Sequence, residues 1–167
     1  MVIAANIIDF VACILMVATG SIKKKGRILG VQIIQMLMQG VSTLLLGAFT
    51  GVVNNLIACL RNYLCYKDKL NIFWKAGIIS VSIVLTELFN DQGLLGIIPL
   101  VICTVYILLM DLPNPIHFKL LVTSTLFPWT YYHFCIGAYT AAVFDMLCIV
   151  TNVITITAMM KEKKAQS

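Results

Sequence analysis

The stretch GAFTGVVNNLIACLRN, residues 47–62, recurs as GAYTAAVFDMLCIVTN, residues 137–152, at an ungapped offset of 90 that pairs Gly47 with Gly137. Ala48, Thr50, Val53 and Asn62 return as Ala138, Thr140, Val143 and Asn152, while Phe49 is answered by Tyr139 and Asn55 by Asp145. The offset also holds upstream, where Ile7, Ile8, Val11 and Cys13 meet Ile97, Ile98, Val101 and Cys103. Matches among Ile and Val are cheap in an apolar chain, but Gly, Thr, Asn and Cys matches at one common offset are not. Self-similarity at a fixed offset marks an internal duplication, and it reaches both flanks of a chain whose second and sixth apolar segments match poorly.

What is duplicated is membrane-spanning. Of 167 residues, 60% are hydrophobic and 11% charged, and the mean hydropathy is +0.97, far from the roughly 25% charged residues of soluble domains. That composition excludes a soluble enzyme, a nucleic-acid binder and a single-span receptor. The apolar runs are also too long and too continuous for a β-barrel, whose strands alternate over about ten residues. A spanning helix needs about 20 apolar residues, and breaks in the pattern give seven: Val2 to Ser21, Ile28 to Phe49, Gly51 to Tyr66, Ile72 to Phe89, Leu94 to Met110, Phe118 to Ile136 and Ala138 to Met160. The first is expected to be a retained helix, because no basic residue precedes it and no cleavage pattern closes it.

Twelve Lys and Arg residues set the expected orientation, since cytoplasmic loops carry the basic excess. Lys23, Lys24, Lys25 and Arg27 follow the first span; Arg61, Lys67, Lys69 and Lys75 bracket the third turn; Lys119 follows the fifth; Lys161, Lys163 and Lys164 end the chain. The turns around Ala48 to Thr50, Asn90 to Gly93 and Gly137 carry none. Seven spans therefore put every basic residue on one side, with the N-terminus outside and the C-terminus in the cytoplasm. The net charge of +5 reports orientation and attraction to anionic headgroups, with no need for nucleic acid.

Together the count and the offset predict an all-α membrane protein of one domain in a three-plus-one-plus-three plan. Repeat one covers residues 1–67, a linker helix 70–89, repeat two 92–160 and a cytoplasmic tail 161–167. A single linker helix makes the repeats parallel, an arrangement that places a solute site near the midplane between them.

Few polar residues fall inside the spans, where each costs about 2.5–3.5 kcal/mol when charged. Asp145 and its mate Asn55 would present a carboxylate and an amide across one cavity, or else tie helices together. Asn62 and Asn152 form a second mated pair, one to two turns nearer the cytoplasm. Arg61 beside it is expected to snorkel to the headgroups, and Asn54 to point to another face. In the sixth span the aromatics belong to an interfacial belt, but Trp129 and His133, four apart, share a face and form a candidate stacking wall. Gln32, Gln35 and Gln39 share the facing side of the second span. Pro99 bends the fifth span and, with its mate Asp9, is a candidate gate. The six cysteines, Cys13, Cys59, Cys65, Cys103, Cys135 and Cys148, read as buried small hydrophobes, with no ligand spacing for a metal and no cofactor motif.

Trp129, Phe134, Gly137, Asp145 and Asn152, in this order and spacing, together with Gly47, Phe49 and Arg61, resemble the YgjV-type bacterial inner-membrane protein family. That family is similar in turn to the SWEET, SemiSWEET and PQ-loop group of small transporters. The resemblance implies an inner-membrane location and a SWEET-like fold. The chain departs from that group in having no Pro-Gln dipeptide, and in Asp9 standing where the second repeat has Pro99. The expected function is transport of a small polar solute by alternating access, through a site of Asn55, Asp145, Asn62, Asn152, Trp129 and His133. The alternative is a receptor or assembly protein without transport. No catalytic activity is expected, and the partners are the bilayer, the solute and a possible second copy of the chain.

Overall fold

A computed structural model describes residues 2–47, 49–89, 93–135 and 139–165. The expected outer turns at Ala48, at residues 90–92 and at Gly137 lie outside the described residues. Seven α-helices are present among those described: α1 Val2–Gly20, α2 Lys25–Leu45, α3 Phe49–Tyr66, α4 Ile72–Phe89, α5 Ile97–Leu109, α6 Pro115–Cys135 and α7 Tyr139–Ala165, with a 3-10 turn at Gly93–Gly96 leading into α5. Three of them, α1, α2 and α7, are long and apolar enough to cross a membrane. Helices suit hydrocarbon because each satisfies its backbone internally.

The ends follow local chemistry that hydropathy does not register. The Asn71 side-chain oxygen accepts from the Trp74 N–H at 3.0 Å and starts α4, as N-cap residues do. Asn114 accepts from the Ile116 N–H at 2.9 Å, with Pro115 at the first helical position, so α6 begins before the expected Phe118. Gly47, in the left-handed region at φ 75°, ends the second helical segment earlier than expected.

Packing runs in a circuit. α1 lies between α2 and α7, α2 continues to α3, α6 lies between α5 and α7, and α4 makes slighter contacts with both α3 and α5. The first and last helices meet at a seam of small groups. Ala5, Ala12 and Ala142 are fully buried, and the Cys148 and Thr151 side chains donate to the Met16 and Val17 carbonyls at 3.4 and 3.3 Å. Small residues let membrane helices approach closely where no hydrophobic force draws them together. The other joint, between α3 and α5, is bridged by longer side chains, including Cys65 donating to the Met110 carbonyl at 3.3 Å. Outward, apolar residues recur at helical spacing: Ile34, Leu37, Val41 and Leu44 on α2, and Val53, Leu56, Leu60 and Tyr63 on α3, are all exposed. The interior packs an apolar core around Ile28, Leu29, Ile107, Met110 and Phe118 with polar groups set among it, and the apolar exterior is the pattern of a bundle solvated by lipid.

One end of the bundle is knit by its basic residues. Lys25 donates to the Leu112 carbonyl at 3.0 Å, Lys75 to the Leu108 carbonyl and to Asp111, both at 2.9 Å, and Lys23 pairs with Glu162. Two of the twelve cations correct the expectation. Arg61 is 7% exposed and Lys119 0%, so both are held inside the bundle among other side chains.

Candidate polar site

At the end away from the lysine clusters, α6 and α7 bring three of the expected residues together. His133 Nδ1 and Asp145 Oδ2 are 2.7 Å apart, with Asp145 almost fully buried. The Trp129 ring stacks on His133 at 5.4 Å between centroids, and Tyr132 packs against both. The i, i+4 spacing on α6 fixes the stack, and α7 supplies the carboxylate from the facing helix. The aromatic stretch therefore divides into two faces. Phe127, Tyr131 and Phe134 are exposed, as a belt requires, while Trp129, Tyr132 and His133 turn half inward. Such a constellation offers an acceptor, a proton-bearing ring and a flat apolar wall.

Nearer the basic end lie two further polar clusters, one around each mated asparagine. Asn62 Oδ1 accepts from Arg61 Nε at 3.2 Å, and its amide nitrogen donates to Gln32 Oε1 at 3.3 Å. Tyr106 OH of α5 donates to the same Gln32 oxygen at 3.4 Å, and the Arg61 guanidinium lies 4.7 Å from the Tyr106 ring centroid. Across the bundle, Asn152 Oδ1 accepts from Lys119 Nζ at 2.7 Å, and Lys119 also donates to the Thr19 carbonyl at 3.1 Å. Each asparagine thus sits on the third helix of its half, beside a buried cation.

The remaining candidates fall elsewhere. Asn55 is half-buried on α3 where α2 comes close at Gly40, and Asn54 beside it faces outward. Asp9 is half-buried on α1. Pro99 sits in the first turn of α5, where a missing N–H breaks no helical hydrogen bond. The proline inside a helix is Pro128 of α6. Gln35 is buried and Gln32 is in use, so the α2 face expected from the glutamine spacing points inward.

Three participants escaped the sequence reading: Lys119, Tyr106 and Pro128. Lys119 had a usable signal, a charge inside the apolar run Phe118 to Val122. Two apolar grooves also indent the surface, one between α6 and α7 around Phe127, Tyr131 and Ile149, and one between α5 and α6 around Ile98, Val105 and Pro128. Neither is lined by the mated polar residues, and their chemistry suits hydrocarbon chains.

No curated protein and no solved structure matches the chain significantly. Residues 3–163 match the Imp-YgjV family, described as bacterial inner membrane protein, so the match extends over all seven helices. By that match over nearly the whole chain, and in keeping with its apolar helices, the chain belongs to the Imp-YgjV family of bacterial inner membrane proteins.

Proposed function

We propose that the protein carries a small polar solute across the inner membrane by alternating access. In this reading all seven helices span the bilayer in a three-plus-one-plus-three arrangement like that of the SWEET group, with the N-terminus outside and the C-terminus in the cytoplasm. Asn55, Asn62, Asp145, Asn152, Trp129 and His133 line the solute path, Asp9 acts at its gate, and no catalysis is involved. One observation carries the reading. Asn62 and Asn152, mates at the offset of 90, are 0% and 1% exposed, and each is hydrogen-bonded to a buried cation. Polar groups are expensive inside membrane helices and mark pathways more often than scaffolding. Mated positions in two copies of one unit are also where a rocking carrier would exchange contacts between its two states.

Uptake of a solute panel into proteoliposomes tests the proposal. Asp145→Ala combined with Asn152→Ala is expected to reduce uptake by at least about tenfold, the loss expected when buried hydrogen-bonding groups go unpaired. Unchanged uptake in the double variant would rule out the site. Binding of a partner protein without flux of any solute would favour the receptor or assembly reading instead.

A further inference from the structure

Arg61 has more hydrogen-bond donors than its surroundings have acceptors. A guanidinium carries five N–H groups. One, at Nε, donates to Asn62 Oδ1. The four on the terminal nitrogens meet no acceptor among the described residues, and since no fully buried side-chain nitrogen there lacks a hydrogen-bond partner, they lie at the 7% of Arg61 that stays accessible. Asn62 cannot turn to serve them, because its amide nitrogen is held by Gln32 Oε1, which Tyr106 OH also engages. The Tyr106 ring covers one face of the guanidinium plane, leaving the terminal edge as the part with unspent hydrogen-bonding capacity.

Charge gives a second, independent argument. The ion pairs among the described residues are Lys23 with Glu162, Lys75 with Asp111 and His133 with Asp145. Neither Arg61 nor Lys119 has a carboxylate. Lys119, fully buried, is held by an amide oxygen and a backbone carbonyl. Amide dipoles and an aromatic face offset part of the cost of burying a cation, but they leave two buried cations without a carboxylate partner, since the buried carboxylate among the described residues, Asp145, is engaged by His133. The planar fork of arginine fits a carboxylate or phosphate with two parallel hydrogen bonds.

We infer that Arg61 is an oxyanion-binding residue and that the solute carries a carboxylate or phosphate. The inference rests on the transport reading for the solute's role, but binding itself is testable without flux. An anionic lipid headgroup offers the same chemistry as a free solute, so the experiment separates the two.

Purified full-length protein in phosphatidylcholine nanodiscs is titrated with inorganic phosphate and with succinate, with glucose and choline as neutral and cationic comparators, and thermal unfolding is followed. One of the anions is expected to raise Tm by several degrees through binding to the folded state. Arg61→Gln is expected to weaken the apparent affinity by about tenfold or more, and Arg61→Lys, which keeps the charge but loses the fork, by less. Should Arg61→Gln fail to fold, Asn62→Asp takes its place: a carboxylate built beside Arg61 is expected to stabilise the protein and abolish the anion response. A response appearing only when phosphatidylglycerol replaces part of the phosphatidylcholine assigns the site to a headgroup and keeps the oxyanion assignment. No response to phosphate, succinate or phosphatidylglycerol overturns the inference, as does a response that Arg61→Gln or Asn62→Asp leaves intact. Anion binding without flux would sink the transport reading alone, whereas flux of a neutral solute untouched by Arg61→Gln would sink this inference alone.

Discussion

Gly20 shows how a single hydrogen atom can decide a helix seam. A Cβ added there would lie 1.8 Å from Thr151 Oγ1 and 2.7 Å from Thr151 Cβ, and the stiff β-branched threonine has no rotamer that clears both. Gly20→Ala is therefore expected to push α1 from α7 and to destabilise the protein by about 1–3 kcal/mol or more, read as a lower Tm in detergent. Thr151→Gly, which removes both clashing atoms, is expected to relieve the clash and Thr151→Ala, which keeps the Cβ, to relieve it only in part; a Gly20→Ala protein as stable as wild type would show that the seam is looser than described. The His133–Asp145 pair makes a different residue-scale case, because its partners come from different helices and the carboxylate is almost fully buried. A double-mutant cycle through Asp145→Asn and His133→Gln is expected to give a coupling of about 1–3 kcal/mol, the range for contacting polar groups. Additive losses would mean that the two side chains are neighbours without being partners.

Besides Pro115 at the start of α6, two prolines lie in the last three helices, and position within the element separates their effects. Pro128, inside α6, removes the backbone hydrogen bond that the Ser124 carbonyl would otherwise accept, and the Ser124 and Thr125 hydroxyls turn back to the Leu121 and Val122 carbonyls on the same stretch. Pro128→Ala is expected to stabilise α6 while lowering the transport rate, since a restored ladder is stiffer where a rocking bundle needs to bend. Pro99→Ala, in the first turn of α5, is expected to change both little. Equal effects of the two substitutions in a flux assay would remove the distinction. The connection between α5 and α6 is tied to α4 by Lys75 and Asp111. Burial works against the Asp111 carboxylate, but the hydrogen bond and charge of Lys75 outweigh it and hold the carboxyl below its ordinary value. The contribution is thus complete above about pH 4 and fades as the pH falls through the lowered folded value. At 54% exposure of Asp111 it is worth no more than about 1 kcal/mol. Asp111→Asn is expected to remove that small acid-side dependence of Tm.

For the whole molecule, the proposed orientation makes a simple prediction. Cysteines introduced at Lys24 and at Lys163 should resist an impermeant thiol reagent added to intact cells and react once the membrane is opened. Labelling of either from outside would overturn the one-sided assignment. Much of the molecule was legible along the chain. Seven apolar segments give seven helices to within a few residues, because the cost of placing polar groups in hydrocarbon imposes itself on every position of a run. The side-chain cap at Asn114 moved a boundary that hydropathy alone could not place, while the cap at Asn71 starts α4 at the expected Ile72. Asp145, His133 and Trp129 were legible as candidates because two share a helical face and the third is a charge in an apolar segment. Their meeting was not, since which faces of α6 and α7 turn together depends on packing across the pair. The same limit explains Arg61 and Lys119: in sequence each is a basic residue near a span end, and snorkelling and burial look alike there. By itself the sequence determined an apolar, lipid-solvated helical chain with matching residues at an offset of 90, because hydropathy and that offset are properties of the chain. Only the tertiary structure decided that two of its cations turn inward without carboxylates, because charge compensation depends on distances between helices that no linear pattern encodes.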